Sequence, residues 1–279
     1  QGGEITQLRY YTQGGFAYVC AVGWDRMVTI WADNKVYTTR ADQAAAIRPL
    51  HTLAGHVDDI RCLALGPAKG TTGQPCPAAN LLATGSDDGE IRIWNVELCC
   101  WKWSLSDPND DGNAHNPPTP FDQRGVEKMA FLAPSGVLAT CGADGCLRFW
   151  AAFEAKNQLL HRQSSKHRPG ESVLSMSATR DGNQLVTGDS GGYVKVWDVS
   201  AFNRAQPNRS QGPTSFNASR GAVTVLHFKA HDGHVTAAMF VELEMQGRYL
   251  GTKRVTEVRK RIARKMSLAG MQLGGFILT

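Results

Sequence analysis

The stretch GSDDGEIRIW (Gly85–Trp94) recurs in outline three more times along the chain, as VGWDRMVTIW (Val22–Trp31), CGADGCLRFW (Cys141–Trp150) and DSGGYVKVW (Asp189–Trp197). Aligned on the tryptophan, the residues one and three before it are always apolar: Ile93 and Ile91, Ile30 and Val28, Phe149 and Leu147, Val196 and Val194. Two before it stand Arg92, Thr29, Arg148 and Lys195. That alternation has the period of a strand with one buried face. Six before the tryptophan comes Asp88, Asp25 or Asp144, with Gly191 in the fourth copy. Ten before it comes Thr84, Thr140 or Thr187, with Ala21 in the first. One supersecondary unit is reused, which is the mark of a repeat array.

Working outward, further strands fall into place around each tryptophan. His51–Leu53, Asp59–Leu65 and Leu81–Gly85 precede Trp94. Cys99–Leu105, Val126–Leu132 and Val137–Cys141 precede Trp150, and Gln158–Arg162, Val173–Ala178 and Leu185–Thr187 precede Trp197. Pro134-Ser135-Gly136, Asp144-Gly145, Asp181-Gly182-Asn183 and Gly191-Gly192 supply the residue types that tight reversals need. A fifth unit opens at Val223–Phe228 and Val235–Val241 but never reaches its tryptophan. The tryptophans lie 63, 56 and 47 residues apart, against about 40–45 for a bare repeat. The excess sits in loops 66–79, 107–124 and 200–220, rich in Gly, Pro, Asn and Ser.

The 279 residues are 42% hydrophobic and 20% charged, enough for a sizeable core. The net charge of +5 is local in origin. Residues 253–265 carry Lys253, Arg254, Arg259, Lys260, Arg261, Arg264 and Lys265 against Glu257, so the remainder sums to −1. A general nucleic-acid surface is not indicated. In this stretch Val255, Val258, Ile262 and Met266 share one face of a helical period, the pattern of a basic amphipathic helix or a solvated tail. The seven cysteines include no CxxC pair, and Cys20, Cys62, Cys141 and Cys146 fall inside predicted strands. Buried thiols are expected rather than a disulfide framework. No run of eighteen apolar residues and no secretory leader is seen. The chain opens on Gln1, so it is expected to be part of a longer product.

AGH followed by LLATGSDDGEIRIWN, within Ala54–Asn95, resembles a WD repeat, and the resemblance extends over roughly residues 16–242. It implies an all-β, WD-repeat β-propeller of which about four to five blades are present, an incomplete part of a larger ring. Residues 1–242 would be the blades and 243–279 an irregular basic tail, helical or disordered. It also implies a polar tetrad of His56, Ser86, Asp88 and Trp94 in the second repeat, with Asp88 accepting from the imidazole and the Ser86 hydroxyl linking it to the indole. Asp25, Trp31, Asp144, Trp150, Trp197, Asp198 and His231 are the other repeat-defining positions.

Chemistry-bearing patterns are sparse. Asp107–Gly112 begins like a calcium loop, but Pro118 stands where the bidentate Glu belongs. The glycine-rich Gly66–Gly73 lacks the order of a phosphate loop. His161 and His167 are read as an outer strand and its loop, with no carboxylate at ligand spacing. Trp101 and Trp103 are read as packing on the neighbouring blade. The inner-strand starts Asp59, Val126, Val173 and Val235 are largely apolar, and no nucleophile elbow is present. No catalytic, cofactor or metal site is expected.

The reading is therefore a non-enzymatic interaction scaffold whose partners are other proteins, with neither nucleic acid nor membrane among them. Candidate contact residues are Trp24, Arg26 and Asp87 on the face formed by the turns, with Ala143 beside the third repeat's Asp144, and the basic residues of 253–265. VCAVGWDRMVTIWAD and the later FKAHDGHVTAAMF are similar to ciliary and flagellar WD-repeat proteins, which implies a structural place on the axoneme, with microtubule-associated partners and a cytoplasmic or ciliary address. The alternative is a cytosolic adaptor, such as a ubiquitin-ligase substrate receptor or a signalling or trafficking component.

Overall fold

The computed structural model describes residues 3–13, 16–32, 48–69, 73–105, 125–142, 144–155, 159–165, 167, 171–204, 221–241 and 276–278. Its strands are β1 (Ile5–Gln13), β2 (Phe16–Gly23), β3 (Met27–Ala32), β4 (His51–Ala54), β5 (Ile60–Leu65), β6 (Leu81–Ser86), β7 (Ile91–Asn95), β8 (Cys100–Leu105), β9 (Val126–Leu132), β10 (Val137–Gly142), β11 (Cys146–Trp150), β12 (Leu159–Ser164), β13 (Val173–Ala178), β14 (Gln184–Asp189), β15 (Tyr193–Asp198), β16 (Val223–Lys229), β17 (Met239–Val241) and β18 (Phe276–Leu278). Among the described residues one short helix, α1 (Ser200–Arg204), accompanies them. Asp198 Oδ1 accepts the Ser200 N–H at 2.9 Å at its start.

The strands form four antiparallel four-stranded sheets in simple meander order, β1–β4, β5–β8, β9–β12 and β13–β16, followed by the pair β17–β18. The fold is all-β, and the sheets are blades of part of a β-propeller. In each sheet the first strand is innermost: β1 meets β5, β5 meets β9, β9 meets β13 and β13 meets β17. The outer strand of each blade is the first strand of the following sequence unit. His51–Ala54 pairs with β3, not with the Trp94 unit that it opens. Each sequence repeat therefore straddles two sheets and ties them together.

Blade packing follows from the alternation. Trp94 is buried with Cys20, Val22, Val28, Ile30 and Leu53 of the sheet before it. Trp150 packs likewise with Ala83, Ile91, Ile93 and Leu105, and Trp197 with Ala139, Cys141, Leu147 and Phe149. The two apolar positions before one tryptophan thus cover the next tryptophan. Burial of each such side chain contributes roughly 1.5–3 kcal/mol. The inner strands are also stitched to one another. The Thr6 hydroxyl donates to Ile60 O at 2.6 Å, the Cys62 thiol to Val126 O at 3.2 Å, and the Ser175 hydroxyl to Val235 O at 3.1 Å. Close approach needs glycine at two of these seams. A Cβ on Gly85 would stand 2.7 Å from Val126 Cβ, and one on Gly188 2.4 Å from Val235 Cγ1.

The two ends of the arc differ. Val186, Val194 and Val196 on the far face of the fourth sheet are covered by Val235, Ala238 and Phe240. The Trp31 face of the first sheet, in contrast, leaves Leu8 53% and Tyr10 55% exposed. Three stretches differ from the sequence reading. Residues 5–13, which carry no repeat signature, form a complete inner strand. Within the stretch expected to be an irregular tail, Phe276–Leu278 pairs antiparallel with β17. The strand expected over Val235–Val241 is confined to Met239–Val241, because Val235 N–H is instead bonded to Asp189 O at 2.9 Å. The basic residues Lys253, Arg254, Arg259, Lys260, Arg261, Arg264 and Lys265, the loop at 107–118 and Ala143 lie outside the described residues. Cys20, Cys62, Cys76 and Cys141 are buried free thiols, as the strand positions of three of them predict, whereas Cys146, also expected to be buried, is half-buried. Burial pushes Cys20 and Cys62 up to about 12.

Candidate interaction surface

The repeat aspartate fixes the turn between the two middle strands of a blade. Asp25 Oδ1 accepts Met27 N–H at 3.1 Å, Asp88 Oδ1 accepts Glu90 N–H at 2.9 Å, and Asp144 Oδ1 accepts Cys146 N–H at 3.0 Å. Each is a side chain standing in for a backbone turn acceptor. In the fourth blade Asp189 does the same from two residues earlier, accepting Tyr193 N–H at 2.7 Å, and Gly191 takes the vacated position.

Below the turns, the threonine ten residues before Trp94, Trp150 and Trp197 accepts the indole N–H. Thr84 accepts from Trp94 at 2.8 Å, Thr140 from Trp150 at 2.9 Å and Thr187 from Trp197 at 2.9 Å. This corrects the tetrad expected from the sequence. Thr84, not Ser86, joins His56 to Trp94, with His56 Nε2 at 2.7 Å from its hydroxyl. Ser86 points the other way and donates to Asp88. The carboxylate facing His56 Nδ1 is Glu90, at 3.5 Å, not Asp88. Burial would raise Glu90, but the nearby His56 ring and the bonds from Arg92 and Ser104 prevail and hold it down at about 2.

A longer chain of bonds lies where none was expected. His167, read from the sequence as a loop residue without a carboxylate, places Nδ1 2.5 Å from Asp189 Oδ2 and Nε2 3.0 Å from Thr187 Oγ1. The pattern assigns one direction throughout: indole to threonine, threonine to Nε2, and Nδ1–H to Asp189. That direction requires neutral imidazole. Burial, partly opposed by Asp189 and reinforced by Lys195, lowers the pKa of His167. In the third blade a cation is buried beside the repeat aspartate. Arg148 Nη1 lies 2.5 Å from Asp144 Oδ2, with both side chains nearly inaccessible.

The turns carry a connected surface cluster. Arg26 adopts a left-handed backbone (φ 63°), which projects it across the blade seam to Asp59, 3.6 Å from Nε to Oδ1. Asp87 N–H bonds Asp59 O at 3.0 Å, and Asp87 Oδ1 accepts Arg61 Nε–H at 2.5 Å. Trp24 is 48% exposed beside them, its backbone tied to Glu4 O at 3.0 Å. The structure therefore joins Arg26 to Asp87 through Asp59, adds Arg61, and sets Trp24 on the same turn as Arg26; Asp59 and Arg61 were not among the contact residues expected from the sequence. Glu127 joins the rim; burial pushes its carboxyl up, opposed by Arg61 and Lys128. An exposed indole on the same turn as a member of an arginine–carboxylate cluster is the composition of a protein-binding hot spot.

The remaining positions are less uniform. Trp103 donates to Ala152 O at 3.2 Å on the next blade, whereas Trp101 is 53% exposed. His231 is exposed, its backbone N–H bonded to Gly192 O at 3.2 Å. Val126, Val173 and Val235 are buried between blades rather than open to a channel. Among the described residues no group of three or more His, Cys, Asp or Glu is placed to hold a metal ion, and no described helix is long and apolar enough to cross a membrane.

The family model "WD domain, G-beta repeat" matches residues 47–95 and 160–198. The two matched stretches hold β4–β7 and most of β12–β15, which are similar to WD repeats. The chain is similar to nucleoporin seh1 of Schizosaccharomyces pombe, 24% identical over 49% of this chain and 43% of the relative. It is similar to human striatin, 22% identical over 70% of this chain and 23% of the relative. A shorter alignment, to dynein axonemal assembly factor 10 of Chlamydomonas reinhardtii, is 37% identical over 29% of this chain and 21% of that protein. The chain thus spans less than half the length of each of these relatives. WD-repeat proteins generally mediate protein–protein interactions and are typically non-enzymatic.

Proposed function

We propose that this chain is a non-enzymatic scaffold that docks other proteins on the turn face around Trp24, Arg26, Asp59, Arg61 and Asp87, as a structural component of the ciliary or flagellar axoneme. The observation that carries the docking reading is the exposed indole of Trp24, held over blades rigid enough to present it without reorganisation. Arg26 and Arg61 beside it are set by their carboxylate partners, so their geometry is fixed before a partner arrives. The axonemal address is supported by the 37% identical segment of the dynein axonemal assembly factor. Fractionation of cilia tests it: the protein should stay with the axoneme through detergent and high salt. Release with the soluble matrix would refute the axonemal address while leaving the scaffold reading intact.

A second reading, a cytosolic adaptor in a signalling, trafficking or ubiquitin-ligase assembly, is favoured by alignment length. The nucleoporin and striatin matches extend over 152 and 201 residues, against 82 for the axonemal factor.

A further inference from the structure

Each cation of the turn-face cluster stands with a carboxylate. Arg26 meets Asp59 and Arg61 meets Asp87, while Lys128 attracts the neighbouring carboxyl of Glu127. Three more carboxylates belong to the same surface. Asp25 lies between Trp24 and Arg26 in the β2–β3 turn, where its Oδ1 accepts the Met27 N–H at 3.1 Å. Asp58 precedes Asp59 and accepts its N–H at 2.9 Å. Glu4 is exposed, and its carbonyl accepts the Trp24 N–H at 3.0 Å. Among the described residues no Lys, Arg or His is in ion-pair contact with Glu4, Asp25 or Asp58. The loop between β4 and β5, tied to the β2–β3 turn by the Arg26–Asp59 pair, adds a second open apolar side chain. Val57 is 71% exposed, beside the 48% of Trp24.

We propose that the partner docked on this face presents a basic segment, with Lys or Arg side chains entering among Glu4, Asp25 and Asp58 and an apolar neighbour against Val57. The inference rests on the turn-face reading and narrows it to one chemistry. Acidic side chains alone would be an ordinary solvated rim. Here they share two loops with an open indole and an open valine, the aromatic and apolar anchors of a protein contact. The excess of carboxylates sets the sign of the ligand, speeds its encounter at low salt and disfavours a polyanion such as nucleic acid. A lysine or arginine over the indole face gains a cation–π contact, and an arginine fork matches a carboxylate in two-pronged fashion. Arg26 and Arg61 hold Asp59 and Asp87 in place, which leaves the other three carboxylates for the cations of a partner.

Fluorescence anisotropy of the full chain with a fluorescein-labelled dodecapeptide of Arg, Gly and Leu should show saturable binding that weakens with added salt. The chain carries a net charge of +5, so general attraction does not hold such a peptide and binding reports a local acidic site. The same peptide with Glu for Arg should bind about tenfold more weakly or worse. Glu4→Gln/Asp25→Asn/Asp58→Asn keeps an acceptor oxygen at each position and should lose about tenfold in affinity with an unchanged circular-dichroism spectrum. Glu4→Gln/Asp58→Asn, which leaves the Asp25 turn intact, should weaken binding in the same direction. Trp24→Ala should weaken it as well, whereas Trp101→Ala, on an outer strand, should not. Equal affinity for the Arg and Glu peptides, indifference to the carboxylate variants or indifference to Trp24→Ala would overturn the proposal. The docking reading is judged separately, by whether cellular partners are lost with Trp24→Ala/Arg26→Glu. Partners lost there while the Arg and Glu peptides bind alike would refute the basic class and spare the docking face.

Discussion

Thr187→Val isolates the most complete of the buried polar chains. The substitution keeps the shape and removes one hydroxyl, which accepts the Trp197 indole N–H at 2.9 Å and faces His167 Nε2 at 3.0 Å. Trp197 is 1% exposed and the His167 side chain equally inaccessible, so neither group regains water. A buried donor or acceptor left unsatisfied costs about 1–3 kcal/mol. Two such groups, at about 1–3 kcal/mol each, offset by roughly 0.8 kcal/mol for the methyl that replaces the hydroxyl, give an expected loss of about 1–5 kcal/mol. Urea unfolding followed by circular dichroism should show a lower midpoint at unchanged slope. A cycle with Trp197→Phe should show coupling of more than about 0.5 kcal/mol, as expected for groups in direct contact. A loss below about 0.5 kcal/mol, or strict additivity with Trp197→Phe, would refute the argument that these bonds are carried by the threonine.

Other expectations follow from the same geometry. His167 has a folded-state pKa below its unfolded value of about 6.5. Between those values the unfolded chain binds more protons, so stability is complete above about pH 6.5 and falls as the pH drops through that window; His167→Gln should flatten this part of a pH–stability curve. Asp144→Ala should destabilise by about 3–5 kcal/mol by removing the carboxylate 2.5 Å from the buried Arg148 guanidinium, and Asp144→Leu/Arg148→Met should recover much of it. Gly188→Val should separate the fourth blade from Val235, seen as faster amide exchange over Met239–Val241. Thiol labelling of the native protein should spare Cys20, Cys62 and Cys141, which are buried and held protonated, and reach them on unfolding.

The blades were legible because their defining features are local. Alternation before each tryptophan and Gly, Asn and Asp at the reversals located twelve of the strands to within a residue or two. β1 escaped because ITQLRYYTQ carries no tryptophan or aspartate marker, although Gly14-Gly15 between it and Phe16 is a hairpin dipeptide. The polar chains were half legible. The threonine at a fixed distance of ten residues was visible as a regularity, yet its role as indole acceptor depends on a register between β6 and β7 that places Thr84 opposite Arg92 and beside Trp94. His167 and Glu90 were missed for a different reason. His167 comes from the loop before β13, and Glu90, in the β6–β7 turn, meets His56 from the loop before β5, so no spacing along the sequence announces either pairing. The cluster of Arg26, Asp59, Arg61 and Asp87 is likewise a product of a blade seam, joining residues up to 61 positions apart only in three dimensions.

The central claim, that the turn face is the docking surface, is tested most directly by quantitative co-purification. Wild-type chain and a Trp24→Ala/Arg26→Glu variant of equal thermal stability would be recovered from the same cells and their associated proteins compared by mass spectrometry. The account predicts stoichiometric partners with the wild type and about tenfold or greater depletion of at least one of them with the variant. An identical partner set at identical abundance would contradict it.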